Sequence, residues 1–282
     1  MDYDRGSFDA FGGQATAFKA SENPGGIAAA IESAFGPATE PELAAPPDTT
    51  VRLPFGRLQD GRALRTARVR ELTGADDEAL ARVSGSYLRW MDTVVSLGTV
   101  EIGDTPATKE LLRELTAADR DTLLLAIRMA TYGDTLSVPR FRCPQCSALS
   151  DLTVHLGQVE IKGPEDPVCR VFEVELRGGG HAQLRQPTGH DQMEFDGREL
   201  TVPEQNTLLL SRVIVSCELP GKSAVSGSMA LARSLGLADR KALLDAVTEN
   251  TYGPRYDEIT MTHQECGQEV AVPVSAGDLF RI

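Results

Sequence analysis

Residues 115 to 133 and 235 to 253 are two versions of one segment, and this repetition constrains the fold more than any other feature of the chain. Written in line, Leu115 to Gly133 and Leu235 to Gly253 match without a gap at Leu115, Ala118, Asp119, Arg120, Leu123, Leu124, Ala126, Thr131, Tyr132 and Gly133, each answered 120 positions later. Each copy opens on Ala-Asp-Arg, continues with leucines at helical spacing and stops at Tyr-Gly. That pattern predicts an amphipathic helix ended by a glycine just beyond its last turn.

An upstream correspondence makes the case for a duplicated unit. Arg70-Glu-Leu-Thr-Gly-Ala-Asp76 resembles Arg185-Gln-Pro-Thr-Gly-His-Asp191, 115 positions later. Each follows alternating, strand-like residues, and Thr73 or Thr188 precedes a polar stretch able to open a helix. Asp76 and Asp191 read as cap or turn residues. Between the two signatures lie the apolar runs Leu88 to Ile102 and Leu208 to Leu219, where period alone does not separate helix from strand. The expected fold class is α+β, an internally duplicated module of short strands and helices. The expected organisation is a flexible N-terminal arm over 1–48, a first module over 49–150, a connecting strand and linker over 151–167, and a second module over 168–282. In the arm, Gly12-Gly13, Pro24-Gly-Gly26 and four prolines argue against dense packing, with one short helix expected near Ile27 to Phe35. Its phenylalanines Phe8, Phe11, Phe18 and Phe35 are either anchors for a partner or incidental to a solvated tail.

Counting on from each Tyr-Gly pair reaches the chemistry. Cys143 lies ten residues after Gly133 and Cys146 follows in a Cys-x-x-Cys; His263 lies ten residues after Gly253 and Cys266 follows in a His-x-x-Cys. Cys143, Cys146, His263 and Cys266 together form a Cys3His set, the donor chemistry of closed tetrahedral zinc sites. Strand-like residues flank both knuckles, as in a zinc ribbon, and one Zn2+ would join the two copies as a structural ion with no open coordination position. A thiol redox pair needs a helix N-terminus that the flanking strands do not offer, and unliganded cysteines are the remaining alternative. Cys217 is a substitute fourth ligand that the repeat register disfavours. Cys169 and Cys217 read as small buried side chains.

No catalytic constellation emerges. His155 reads as a lone strand residue. His190-Asp191 is the best acid-base candidate, but the matching Ala75-Asp76 keeps only the acid. Arg177-Gly-Gly-Gly180 is a hairpin turn, and Pro220-Gly-Lys-Ser223 lacks the first glycine of a P-loop. With 28 Lys and Arg against 41 Asp and Glu, the formal net charge of −13 repels nucleic acid phosphates. The single basic concentration, Arg52, Arg57, Arg62, Arg65, Arg68 and Arg70, is either a docking face for an acidic surface or a solvated strand face. The opening residues lack the basic and apolar regions of a signal peptide, and no apolar run approaches the ~20 residues that cross a bilayer. The expectation is a cytoplasmic protein with no membrane partner and no small-molecule substrate.

The order Arg-Glu-Leu-Thr-Gly-x-Asp at 70–76, Phe-Arg-Cys-Pro-x-Cys at 141–146, Pro-Thr-Gly-x-Asp at 187–191 and a late knuckle before Val270 resembles the baseplate proteins of T4-like phages. The likeness is to the baseplate hub or tail assembly chaperone type of contractile-tailed phages and contractile injection systems, over roughly residues 50–282. It implies a non-catalytic role, other baseplate or tail proteins as partners, and incorporation into a phage-like particle as one fate of the chain. The family's late knuckle often carries two cysteines where this chain has His263 first, an exchange zinc tolerates. The alternatives are a zinc-ribbon adaptor for an unrelated cellular protein and, further off, a hydrolase or thiol oxidoreductase.

Overall fold

A computed structural model describes residues 49–280 apart from 84, 178, 222 and 273. The arm expected over 1–48, with its short helix, lies outside the described residues. The fold is α+β with several small antiparallel sheets.

The first half begins with strands β1 (Thr49–Gln59) and β2 (Arg62–Val69), which turn at Asp60 and Gly61. Helices α1 (Gly74–Ala81) and α2 (Tyr87–Gly98) follow, and α2 runs without a loop into β3 (Thr99–Ile102) and β4 (Thr105–Pro106). The apolar run that period could not resolve is therefore both, a helix and then a strand. The sheet order is β1-β2-β3-β4. Helices α3 (Lys109–Glu114) and α4 (Ala117–Tyr132) come next, then the hairpin β5 (Thr135–Arg142) and β6 (Leu149–His155). Thr116 caps α4 by accepting the Asp119 amide, and Gly133, at φ 78°, ends it as the Tyr-Gly stop predicts.

After β7 (Ile161–Lys162) the second half presents β8 (Val171–Glu175), β9 (His181–Arg185), α5 (Gly189–Met193), α6 (Val202–Val213) and β10 (Ile214–Glu218). Helices α7 (Met229–Ser234) and α8 (Leu237–Glu249) lead to β11 (Gly253–Pro254) and the hairpin β12 (Thr260–Thr262) and β13 (Glu269–Ala271). Helix α6 also passes directly into its strand, and β11 pairs back on β7.

Pairing in the two main sheets is alike in detail. Between β2 and β3 the partners are Ala67 with Ile102, Arg68 with Glu101 and Val69 with Thr99, with a slip before the last pair. Between β9 and β10 they are Ala182 with Cys217, Gln183 with Ser216 and Leu184 with Ile214, slipping at the corresponding place. Each residue of the second set stands 115 positions after its counterpart. The Thr-Gly-x-Asp signatures have one physical cause. Asp76 accepts the amide and hydroxyl of Thr73 at 2.8 and 2.9 Å and holds both terminal nitrogens of Arg70 at 2.7 and 3.0 Å. Asp191 does the same with Thr188 at 2.9 and 3.1 Å and with Arg185 at 2.6 and 2.9 Å. The aspartate thus closes a capping box and receives a bidentate guanidinium, which requires Arg, Thr and Asp at this spacing.

Two hydrophobic cores result. The second holds Leu184, Leu210, Val213, Cys217, Ala232 and Leu243. The first is built from β1–β3, α2–α4 and β5–β6, but it also takes Val270, Val272, Val274 and Leu279 from the far end of the chain. Arg128 fixes that end by donating to the Leu279 carbonyl, and Phe280 stacks edge-on against Trp90 and Tyr132. Helix α4 joins the halves: the Ala117 amide donates to Pro187 O at 2.8 Å and the Gly189 amide to Leu115 O at 3.1 Å. Arg120, almost fully buried, donates to Leu112 O, Gln192 and Asp92. Asp92, also engaged by Arg113 and Lys109, supplies the counter-charge without which a buried guanidinium would be costly.

Candidate metal centre

Both hairpins end in the same turn. The last pair of β5–β6 is Arg142 with Leu149, and the last of β12–β13 is Thr262 with Glu269. Inside the first turn the Cys143 amide donates to Ala148 O and the Ser147 amide to Cys143 O, both at 2.9 Å. Inside the second, the His263 amide donates to Gln268 O and the Gly267 amide to His263 O, both at 2.8 Å. Ser147 and Gly267 sit at φ 62° and 69°, the left-handed conformation that lets such a short turn close. Glycine supplies this freely in the second knuckle, whereas Ser147 accepts the strain in the first.

The two turns face each other, and Cys143, Cys146, His263 and Cys266 bring one donor atom each to within 4.8 Å of all the others. Cys143 Sγ lies 3.9 Å from Cys266 Sγ, while His263 Nδ1 lies 3.3 Å from Cys266 Sγ and 3.6 Å from Cys146 Sγ. A tetrahedral ion with metal–sulfur bonds of about 2.3 Å separates its sulfurs by about 3.8 Å and a sulfur from an imidazole nitrogen by slightly less, so the spacings fit. Cys143 and His263 are buried, Cys266 is half-buried and Cys146 reaches the surface. The other imidazole nitrogen, Nε2, meets Ser150 Oγ at 2.9 Å. Were Nδ1 to bind a metal, Nε2–H would donate to that hydroxyl, an arrangement that orients the ring.

The thiols are electrostatically unequal. Burial acts most strongly on Cys143 and raises its pKa, but main-chain amides of Cys146 and Gln145 and the neighbouring thiols outweigh it and hold the group below the usual thiol range. At Cys146 the Ala148 amide lowers the value, yet desolvation and the thiols of Cys143 and Cys266 prevail and push it up.

The remaining candidates lie elsewhere. Cys217 is fully buried on β10 in the second core, where burial raises its thiol pKa, and it takes no place in the cluster. Cys169, expected to be buried, is exposed, its Sγ 3.3 Å from Val171 O; the residues before β8 form an open loop that the sequence pattern did not reveal. His155, His181 and His190 face Asp134, Glu218 and Glu110 at 3.8, 3.5 and 3.3 Å as isolated, part-exposed pairs. Arg177 to Gly180 connects β8 and β9, as the hairpin reading anticipates. Sequence reasoning missed Ser150, whose only signal is its place on the strand leaving the first knuckle. It also missed Asp119, fully buried in the repeated Ala-Asp-Arg. There it accepts the Phe55 and Gly56 amides at 2.8 and 3.0 Å and ties α4 to β1, while burial pushes its carboxyl pKa up.

Small antiparallel sheets and a cysteine-histidine cluster able to hold a metal ion are features of a structural protein rather than of a catalytic site. The sequence pattern described as "T4 bacteriophage base plate protein" matches residues 57–228, more than half of the chain, and the chain belongs to that family. Membership assigns it a non-catalytic structural or assembly role in a phage baseplate. No curated protein and no solved structure matches it. Among the described residues, no helix is long and apolar enough to cross a membrane.

Proposed function

We propose that the chain is a baseplate or tail assembly subunit made of two copies of one β-β-α-α-β-α-α-β-β module, clamped by a single Zn2+ on Cys143, Cys146, His263 and Cys266. The modules run over 49–150 and 168–282, with 151–167 connecting them. The shared pairing register, the twin Arg-Thr-Asp caps and the matching knuckle turns support the duplication. The observation that carries the zinc reading is the convergence of four soft or borderline donors, at tetrahedral spacing, from hairpins more than a hundred residues apart.

Four protein ligands leave no position for a reacting water, so the ion contributes folding energy, which at such sites is on the order of 10 kcal/mol. Each of the four far-end side chains added to the first core contributes about 1.5–3 kcal/mol by burial. The ion and these side chains together hold residues 256–280 on the first half. The partners are other baseplate or tail proteins. Metal analysis of the purified chain tests the clamp: one zinc per chain, with an absorption edge spectrum fitted by three sulfurs and one nitrogen, is expected, and a metal-free, folded chain overturns it. Co-purification from cells carrying a complete tail gene cluster tests the role; recovery without any baseplate or tail protein counts against it.

A further inference from the structure

The outer faces of the two main sheets carry opposite charge. On β1–β2, Arg52 is exposed beside Thr50 and Thr66, with Arg68 in the next row; Arg57 and Arg62 continue the basic surface along the hairpin. The only acid in the hairpin is Asp60 at its tip, and Glu101, on β3, is engaged by Arg68 at 2.9 Å. Arg52 and Arg62 form no ion pair among the described residues, whereas Arg65, on the other side of β2, donates its Nε to Leu53 O at 2.8 Å. On β8–β10 the corresponding surface shows Glu173, Glu175 and Glu218 exposed in two neighbouring rows, with Gln183 and His181 between them. Gln183 donates to Glu173 at 2.9 Å and His181 lies 3.5 Å from Glu218, and among the described residues no lysine or arginine forms an ion pair with these carboxylates. By strand pairing, Arg52 opposite Thr66 in one half corresponds to Glu175 opposite His181 in the other.

A chain of net charge −13 has little reason to gather arginines on one sheet face unless something acidic meets them. Its own second sheet, paired in the corresponding register, presents such an acidic surface. We propose that copies of this chain associate head to tail, the arginine face of β1–β2 in one copy docking on the glutamate face of β8–β10 in the next. The two patches differ, so the contact is heterologous and propagates into a ring or a row, whereas a self-complementary patch would stop at a dimer. The inference rests on the baseplate reading only in giving such a row a place to serve, and it does not depend on the zinc.

The test uses the full chain in its metal-loaded form, followed by sedimentation over a concentration series at low and high salt. Wild type is expected to grow beyond a dimer at low salt and to dissociate as salt screens the faces. Arg52→Glu with Arg62→Glu, and separately Glu173→Lys with Glu175→Lys, each weaken association by about tenfold or more, because each sets like charges against one another. Mixing the two variants restores association, since the intact faces still match and the reversed faces are again opposite in charge. All four positions are at the surface, and unchanged circular dichroism and zinc content verify that each variant is folded. A wild type that stays monomeric at low salt, variants that associate like wild type, or a mixture that associates no better than either variant alone overturns the proposal. Zinc content is read in the same samples, so failure here is distinguishable from failure of the clamp.

Discussion

Cys143 and Cys266 are 123 positions apart in the chain, and their sulfurs stand 3.9 Å from each other. No disulfide joins them, so the closeness of the two knuckles depends on the first core, on the far-end residues packed into it, and on whatever joins the four donors.

Removal of one donor at the surface is the cleanest probe of that dependence. Cys146 is exposed, so Cys146→Ser leaves core packing intact while deleting one of the four proposed ligands. We expect loss of stoichiometric zinc and a fall in stability of several kcal/mol, out of roughly 10 kcal/mol for a complete structural site. Thermal melts with and without chelator check this; the chelator shifts wild type and leaves the variant unmoved.

Ser150→Ala removes the hydroxyl that holds His263 Nε2 and leaves every donor in place. Partners in this outer position typically govern affinity by about 10–100-fold. Competition with a chromophoric chelator measures it, and wild-type affinity in the variant rejects the orienting role.

The two glycines of the Thr-Gly-x-Asp signature respond oppositely. An added Cβ at Gly189 falls 2.7 Å from Arg120 Nη1 and 2.9 Å from Arg113 Cα, whereas at Gly74 it meets nothing within 4 Å. Gly189→Ala wedges α5 away from α3 and α4 and costs about 1–3 kcal/mol, as overpacking does. Gly74→Ala is neutral or stabilises by up to about 1 kcal/mol through the unfolded chain. Urea midpoints of the two variants settle the contrast.

The Arg70–Asp76 pair sets a pH dependence. The guanidinium of Arg70 is the main cause holding the Asp76 carboxyl down at about 2, helped by the Thr73 amide and hydroxyl against burial. A carboxyl depressed in the folded state contributes stability that is fully present above its unfolded value near 4 and is lost as pH falls through about 2. The depression corresponds to about 2 kcal/mol at neutral pH. Asp76→Asn is therefore less stable than wild type at pH 6, and the gap narrows as the pH approaches 2. Measuring both proteins in the Cys146→Ser background keeps acid release of zinc out of the comparison; a gap independent of pH contradicts the assignment.

The sequence by itself determined the local grammar. The helices opening on Ala-Asp-Arg, the Arg-x-x-Thr-Gly-x-Asp caps and the count from each Tyr-Gly to its knuckle are each written within a span of about twenty residues. There the chemistry of a cap, a stop or a turn restricts which residues fit. The Tyr-Gly stop holds only at Gly133, however: the second helix ends at Glu249 and Gly253 lies on β11. Tertiary structure decided the rest. Val270 to Phe280 pack on the first core and not the second, because the apolar and aromatic surface of Trp90, Tyr132 and Leu125 that receives them is gathered from separate helices. Asp92 gathers Lys109, Arg113 and Arg120 from two further helices, Ser150 meets His263 across 113 positions, and opposed charges on two sheets become faces only once strands pair. Such relations leave no periodic mark on the sequence, since they depend on distance in space, and only a packed core fixes that distance.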